Sequence, residues 1–203
     1  MSVKIAAFVA RWAASPFGAL AAAPWVITQM ADIHVAAVIV ALPTGYVVNG
    51  DVAVHSSATV ESGAIVKGPA IIGPRCFVAA GAYLRGGVFL DEDCIVGPNA
   101  ELKSSFMFQG SKLAHLNFVG DSILGAGVNI EAGAVVANYR NELDDKAIRI
   151  AWRGGVLETG VEKFGALLGD GTRVGANAVI APGAILEKNG RVPRLALVDQ
   201  YPG

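Results

Sequence analysis

The sequence predicts an all-β chain wound as a parallel β-helix of six-residue repeats, with a short helical N-terminal cap and an inserted β-hairpin arm. Three observations carry that expectation. Large apolar residues recur every six positions: Val48, Val54, Val60, Val66, Ile72, Val78, Leu84, Leu90, Val96, Leu102 and Phe108. With 53% of residues hydrophobic, such a run in fixed phase arises by chance about once in a thousand. A second column, four positions after each of these, is small or β-branched: Val52, Ala58, Ala64, Ala70, Cys76, Ala82, Val88, Cys94 and Ala100. Finally, ten charged residues crowd into the 27 positions 137–163.

A period of six belongs to neither a helix nor a simple strand. A six-residue unit cannot bury its own apolar side chain, so units coil and stack, three sides making a triangular prism. The large residue points inward and the small one fits near the corner. Residues 18 apart then lie one above the other, about 4.8 Å apart at ordinary strand spacing. Cys76 and Cys94 share the small column at that separation and read as buried small hydrophobes rather than a redox or metal pair.

Taken in order, residues 1–45 read as the cap. The apolar run Ile5–Ala10 is cut by Arg11, too short for an export signal. Residues 12–31 are uncharged, yet Pro16, Gly18, Pro24, Thr28 and Gln29 argue against a membrane span. The β-helix is expected over 46–192 and a tail over 193–203. The column slips twice, resuming after Phe108 at Phe118, Leu124, Ile130 and Val136, then at Leu168, Val174, Ile180, Leu186 and Val192. Slips in a repeat map to loops, often on a binding face. The second slip holds the charged arm, 137–165, in which Ala147–Trp152 and Val156–Thr159 flank Arg153-Gly154-Gly155 as a hairpin.

Charge and composition narrow the function. Sixteen Lys and Arg against 17 Asp and Glu give a net charge of −1, which supplies no global field for nucleic acid. Two cysteines make no disulfide framework, so a reduced, cytoplasmic compartment is expected. Arg85 and Lys103 follow inward leucines and stack one rung apart, as a phosphate clamp or as a solvated edge. Of the three histidines, His34 lies in the apolar N-terminal stretch and His55 at an outward position. His115 falls inside the first slip, where an imidazole can act as general base. Glu101, one rung earlier, is placed to orient it. Three histidines without metal-ligand spacing predict no metal site.

The hexads Ala70-Ile71-Ile72-Gly73-Pro74 and Cys94-Ile95-Val96-Gly97-Pro98-Asn99-Ala100 resemble those of the hexapeptide-repeat acyltransferases, whose β-helix is left-handed. Four further segments, Glu101-Leu102-Lys103, His115 through Asp121, Val128-Asn129-Ile130 and Ala137-Asn138-Tyr139-Arg140, narrow the resemblance. They are similar to the acetyltransferase domain of bifunctional sugar-1-phosphate nucleotidylyltransferase/glucosamine-1-phosphate N-acetyltransferases. Lys163-Phe164-Gly165-Ala166 and Gly169-Asp170-Gly171 look most like the archaeal members. The resemblance implies an N-acyltransferase that takes acetyl-CoA or another acyl-CoA as donor and needs no metal. Its acceptor would be an amino-sugar phosphate or nucleotide sugar, and the assembly a cytoplasmic homotrimer in cell-envelope polysaccharide synthesis, without nucleic-acid or membrane partners. It implies catalytic roles for His115, Glu101 and Asn138. The acceptor would be bound by Arg85, Lys103, Phe118, Asn129, Tyr139 and Lys146, and the donor by Ala176 and Arg194. Phe118 stands where the family has Tyr, and Ala176 where it has Ser. The alternative is a non-catalytic sugar-phosphate-binding or trimerisation module derived from such an enzyme.

The register predicts that Val78→Asp buries an unpaired charge at a cost of several kcal/mol. A thermal melt within a degree or two of wild type would refute the six-residue phase.

Overall fold

The computed structural model describes residues 3–201. Its body is a parallel β-helix of three faces, each a stack of short strands. The covered face runs through Val52–His55, Ala70–Ile72, the second halves of Tyr83–Leu90 and Glu101–Met107, Ile123–Leu124, Ala166–Leu168 and Ala184–Leu186. The polar face carries Thr59–Val60, Phe77–Val78, Ile95–Val96, Lys112–Leu113, Asn129–Ile130, Arg173–Val174 and Arg191–Val192. The open face carries Ile65–Val66, the first halves of the two long strands, Phe118–Gly120, Val135–Val136, Val179–Ile180 and Leu197–Val198.

The inward column is as expected from Ile72 to Leu102, where every member is fully buried. Three corrections follow. In the register, Leu90 pairs with Met107 and Leu102 with Val119, so Met107 and Val119 fill the interior. Phe108 and Phe118 therefore point outward. The column is broken by two five-residue steps, Leu102 to Met107 and Val119 to Leu124, not by one ten-residue slip. Val48 is outside the coil as well: Tyr46–Asn49 folds back antiparallel on Val52–His55 and leaves Val48 exposed. At the far end Leu197–Val198 pairs with Val179–Ile180, so the coil runs past 192 and takes in part of the expected tail.

Cys76 and Cys94 are buried free thiols one rung apart, and the Cys76 thiol donates to the Asp91 carbonyl at 2.8 Å. The neighbouring Cys76 and burial together hold the Cys94 thiol far above the usual thiol range, as befits an inert core residue.

The covered face is apolar on its outside too. Its outward column is Ala53, Ile71, Phe89, Phe106, Ile123, Leu167 and Ile185, all buried. The N-terminal segment and the arm lie on it, forming a second core. Helices Ile5–Phe8, Pro24–Gln29 and Ala31–Ile39 run along this face rather than across an end of the prism. Phe17 meets Phe89 and Phe106 edge-on at 5.0 and 4.9 Å, and Trp12 packs beside Phe108 at 5.8 Å. Arg11 ties the segment to the coil through Asp91 at 2.9 Å and Glu92 at 3.1 Å. No helix among the described residues is long and apolar enough to cross a membrane.

The arm is an antiparallel hairpin, Arg149–Trp152 against Gly155–Glu158, turning at Arg153 and Gly154, both in the left-handed region. Ile148 and Ile150 anchor it in the second core. At its root Arg140, 2% exposed, makes a 2.6 Å ion pair with Asp199 and reaches the Pro182 carbonyl. This clasp joins the arm to the last rung.

The Arg140 guanidinium beside Asp199 holds its carboxyl below the usual carboxylate range. The stability this contributes is complete above the ordinary aspartate value and is lost as pH falls toward the lowered one. Asp199→Asn should cost about 3 kcal/mol at neutral pH, since it leaves the buried guanidinium only the looser pair with Glu142 at 3.6 Å. It should also flatten the acid limb of the stability curve. Denaturant melts from pH 7 to pH 3 check both, and an unchanged acid limb would refute the clasp.

Candidate functional site

Most of the expected site residues fall on the open face or at its two edges. Arg85 and Lys103 register with each other where the open face meets the covered one. Each is already held by a carboxylate. Arg85 pairs with Glu101 at 2.6 Å, and Lys103 with Asp121 at 2.8 Å. The lysine pair is largely removed from water, its side chains 18% and 5% exposed. Low dielectric strengthens that attraction, and further hydrogen bonds offset its desolvation. Asn138 supplies one, its amide donating to Asp121 Oδ2.

Gly120 makes this cluster possible. A Cβ there would lie 2.7 Å from the Asn138 amide and 2.9 Å from the tip of the Phe118 ring. Phe118 and Asn138 thus meet over a bare backbone position. Both ends of the arm return to the same spot, for the Gly165 amide donates to the Asp121 carbonyl and the Phe164 amide to that of Asn138.

The opposite edge, between the polar and open faces, carries His115. Its ring is exposed and, among the described residues, makes no side-chain hydrogen bond. Glu101, expected to orient it, is instead engaged by Arg85. The His115 corner is fixed from behind by Asn117, whose buried amide donates to the carbonyls of Glu131 at 2.7 Å and Ala134 at 3.1 Å. Backbone bonds from Gly133 to His115, from Asn177 to Ala132 and from Leu195 to Ala176 stack the corners of successive rungs. His115, Ala132, Ala176 and Arg194 therefore share one edge. Glu131 joins the last two, accepting from the Ala176 amide and from Arg194, each at 3.0 Å.

The remaining expected residues lie elsewhere. Asn129 projects from the polar face, registered between Lys112 and Arg173. Tyr139 and Lys146 sit in the arm. The ammonium of Lys146 lies 5.6 Å from the Tyr139 ring and donates to the Asn141 carbonyl at 2.9 Å. Within one chain, then, Lys103, Asn138 and Phe118 come together, while His115, Ala176 and Arg194 form a separate group across the open face. No cluster of three metal-ligating side chains occurs among the described residues.

Sequence reasoning passed over Asp121, Asn117 and Glu131. Asp121 was readable, because it stands 18 residues beyond Lys103 with opposite charge. Asn117 and Glu131 act through corner contacts that no hexad phase marks.

Two clefts accompany these groups. One, of about 490 Å³, has Lys103, Ser104, Gly86 and Asp121 at its floor, with Gln29, Asp32 and residues 160–163 as walls. The other, of about 280 Å³, lies on the polar face beside Asn129, Glu131, Arg173, Arg191 and Arg194.

The chain is 35% identical over 105 residues to a bifunctional sugar-1-phosphate nucleotidylyltransferase/acetyltransferase of Sulfurisphaera tokodaii. It is 39% identical over 103 residues to the bifunctional protein GlmU of Carboxydothermus hydrogenoformans, and 33% over 102 to that of Methanococcus maripaludis. Half of this chain is homologous to bifunctional nucleotidylyltransferase/acetyltransferases. The matched region is 48–52% of this chain and spans only 20–26% of those relatives. A hexapeptide transferase family protein from Anaplasma phagocytophilum aligns over 72% of both chains at 16% identity, with a TM-score of 0.47. No protein-family model matches the chain.

Proposed function

We propose that this β-helix is an acyl-CoA-dependent N-acyltransferase whose acceptor is an amino-sugar phosphate or nucleotide sugar. The observation that carries the reading is His115, an unpartnered imidazole held on a rigid corner in line with Ala176 and Arg194. The acetyltransferase named in the relatives' descriptions supports the same chemistry. In the reaction the acceptor amine attacks the thioester carbonyl carbon, a C–N bond forms, and the C–S bond breaks to release the coenzyme thiolate. His115 takes the proton that the amine loses. Arg85, oriented by Glu101, presents its remaining N–H donors to the acceptor phosphate, and Lys103 turns from Ser104 to add its ammonium. Asn138 positions Asp121, and Phe118 offers an apolar wall where a tyrosine would give a hydroxyl.

The donor fits the polar-face groove. Arg173, Arg191 and Arg194 set three guanidiniums against the single carboxylate of Glu131, a balance suited to the phosphates of an acyl-CoA. Arg191 is held in place by the carbonyls of Gly171, Asn189 and Gly190.

Assembly belongs to the same reading. The outward column of the open face is Ile65, Tyr83, Glu101, Phe118, Val135, Val179 and Leu197, apolar at all but one position. Ile65, Val179 and Leu197 are 54%, 40% and 68% exposed. The covered face has its own lid and the polar face is charged, so the open face is the apolar one that suits another copy. A homotrimer with its sites in the clefts between chains would bring the lysine edge of one copy toward the histidine edge of the next.

One feature favours the second reading, a sugar-phosphate-binding module without turnover: both acceptor-site cations are already neutralised within the chain. A thiol-release assay with acetyl-CoA and amino-sugar phosphates separates the two. His115→Ala should lower turnover by about 10²–10⁴-fold with little change in acceptor affinity. Lys103→Ala should chiefly weaken acceptor binding. Thiol release in neither wild type nor variants, with sugar-phosphate binding that still depends on Lys103, would give the binding module the better claim. Sedimentation at micromolar concentration should give a trimer, and a monomer would overturn the shared-site arrangement.

A further inference from the structure

The cleft above Lys103 is walled by segments outside the hexad repeat. Its floor is the lysine edge of the coil. One wall is the junction between helices Pro24–Gln29 and Ala31–Ile39, and the other is the return of the arm at 160–163. Both walls are fixed. Trp25 meets Phe164 edge-on at 5.9 Å, so helix and arm pack on each other. Val161 is buried in the same core.

The helix is seated by a feature of the coil itself. The strand Tyr83–Leu90 loses register between Arg85 and Val88, and the bulge residues Gly86 and Gly87 both have positive φ. A Cβ on Gly87 would lie 2.3 Å from the Ala31 carbonyl carbon and from the Asp32 nitrogen. No other residue type lets the helix start come so close. The bulge thus places Gln29 and Asp32 beside Lys103.

The polar groups there are unspent. Among the described residues, the side chains of Gln29, Glu162 and Lys163 have no hydrogen-bond or ion-pair partner, and Asp32 accepts only from the Ile33 amide at 2.8 Å. Lys103 and Asp121 balance each other in charge, which leaves the carboxylates of Asp32 and Glu162 against the ammonium of Lys163. The walls consequently favour a ligand edge that donates hydrogen bonds.

We infer that Gln29 and Asp32 are specificity-determining residues for the acceptor, reading its ammonium or hydroxyl groups while the lysine edge holds its phosphate. This rests on the acyltransferase reading for the identity of the site, and the test keeps the two apart. Glucosamine 1-phosphate and glucose 1-phosphate are titrated calorimetrically into the full-length chain and into its Asp32→Asn and Gln29→Ala variants. Thermal melts confirm the fold, and thiol release from acetyl-CoA is followed in parallel.

Asp32→Asn should weaken glucosamine 1-phosphate at least tenfold. A loss confined to that probe identifies the ammonium as the group read, and a loss for both probes identifies a hydroxyl. Binding by both variants within twofold of wild type overturns the inference, whether or not acyl transfer occurs. Wild type that binds neither sugar phosphate overturns it as well. Asp32-dependent binding without any thiol release sustains the inference and sinks the acyltransferase reading instead.

Discussion

Each face of the prism has room for one large aliphatic side chain per turn, and close packing inside leaves no space for another. This constraint governs the rest of the molecule. Ile72, Val78 and Leu84 meet it in one turn, and Leu90, Val96 and Leu102 in the next. Polar chemistry is therefore expelled to the outward positions and the corners. That is why Lys103, Asn138 and Asp121 gather at one edge and His115 at another, with none of them inside. It also explains why a change in step length matters more than a change in residue: a five-residue step keeps the interior filled while turning the next large side chain outward.

The three faces answer the same constraint with different exteriors. The covered face carries apolar residues on both sides, so it binds its own N-terminal segment and arm. The polar face meets solvent with Thr59, Lys112, Asn129, Arg173 and Arg191. The open face keeps an apolar stripe with no cover from its own chain. Charge pairs then join the attachments to the coil, Arg11 to Asp91 on one side and Arg140 to Asp199 on the other. Arg11 is 42% exposed and its pair adds little, whereas Arg140 is buried, and a buried pair contributes less to net stability than to fixing a single arrangement.

Much of this was legible in the sequence, and the failures have physical causes. The interior from Ile72 to Leu102 follows from the period alone. Phe108 and Phe118 were misplaced because a window of apolar residues tolerates a shift of one, and only the pairing of Leu90 with Met107 reveals it. Val48 kept the phase by coincidence, since the Gly50 turn sends its strand backward. The outward apolar column was also present in the sequence, as Ile71, Phe89, Phe106, Ile123 and Leu167, but attention to inward positions hid it. Arg85 and Lys103 stack one rung apart, as read, because they obey the repeat. Gln29 and Asp32 were not foreseeable, for they come from a segment without period, seated by a glycine bulge.

The attachment of the N-terminal segment to late rungs sets an order of events during synthesis. The Asp170 amide donates to the Phe8 carbonyl, and its carboxylate accepts from the Ala10 amide. Phe8 and Ala10 therefore find these partners only after some 160 more residues have been made. Until then Phe8, Trp12 and Phe17 have a growing stack to lean on but no completed berth. A nascent chain that stalls early in the charged arm would leave Phe8 without Trp152 and Asp170, and exposed apolar groups of that kind are where aggregation begins. The coil can wind up locally, rung by rung, but the stretch around Phe8 and Ala10 is among the last to be sealed.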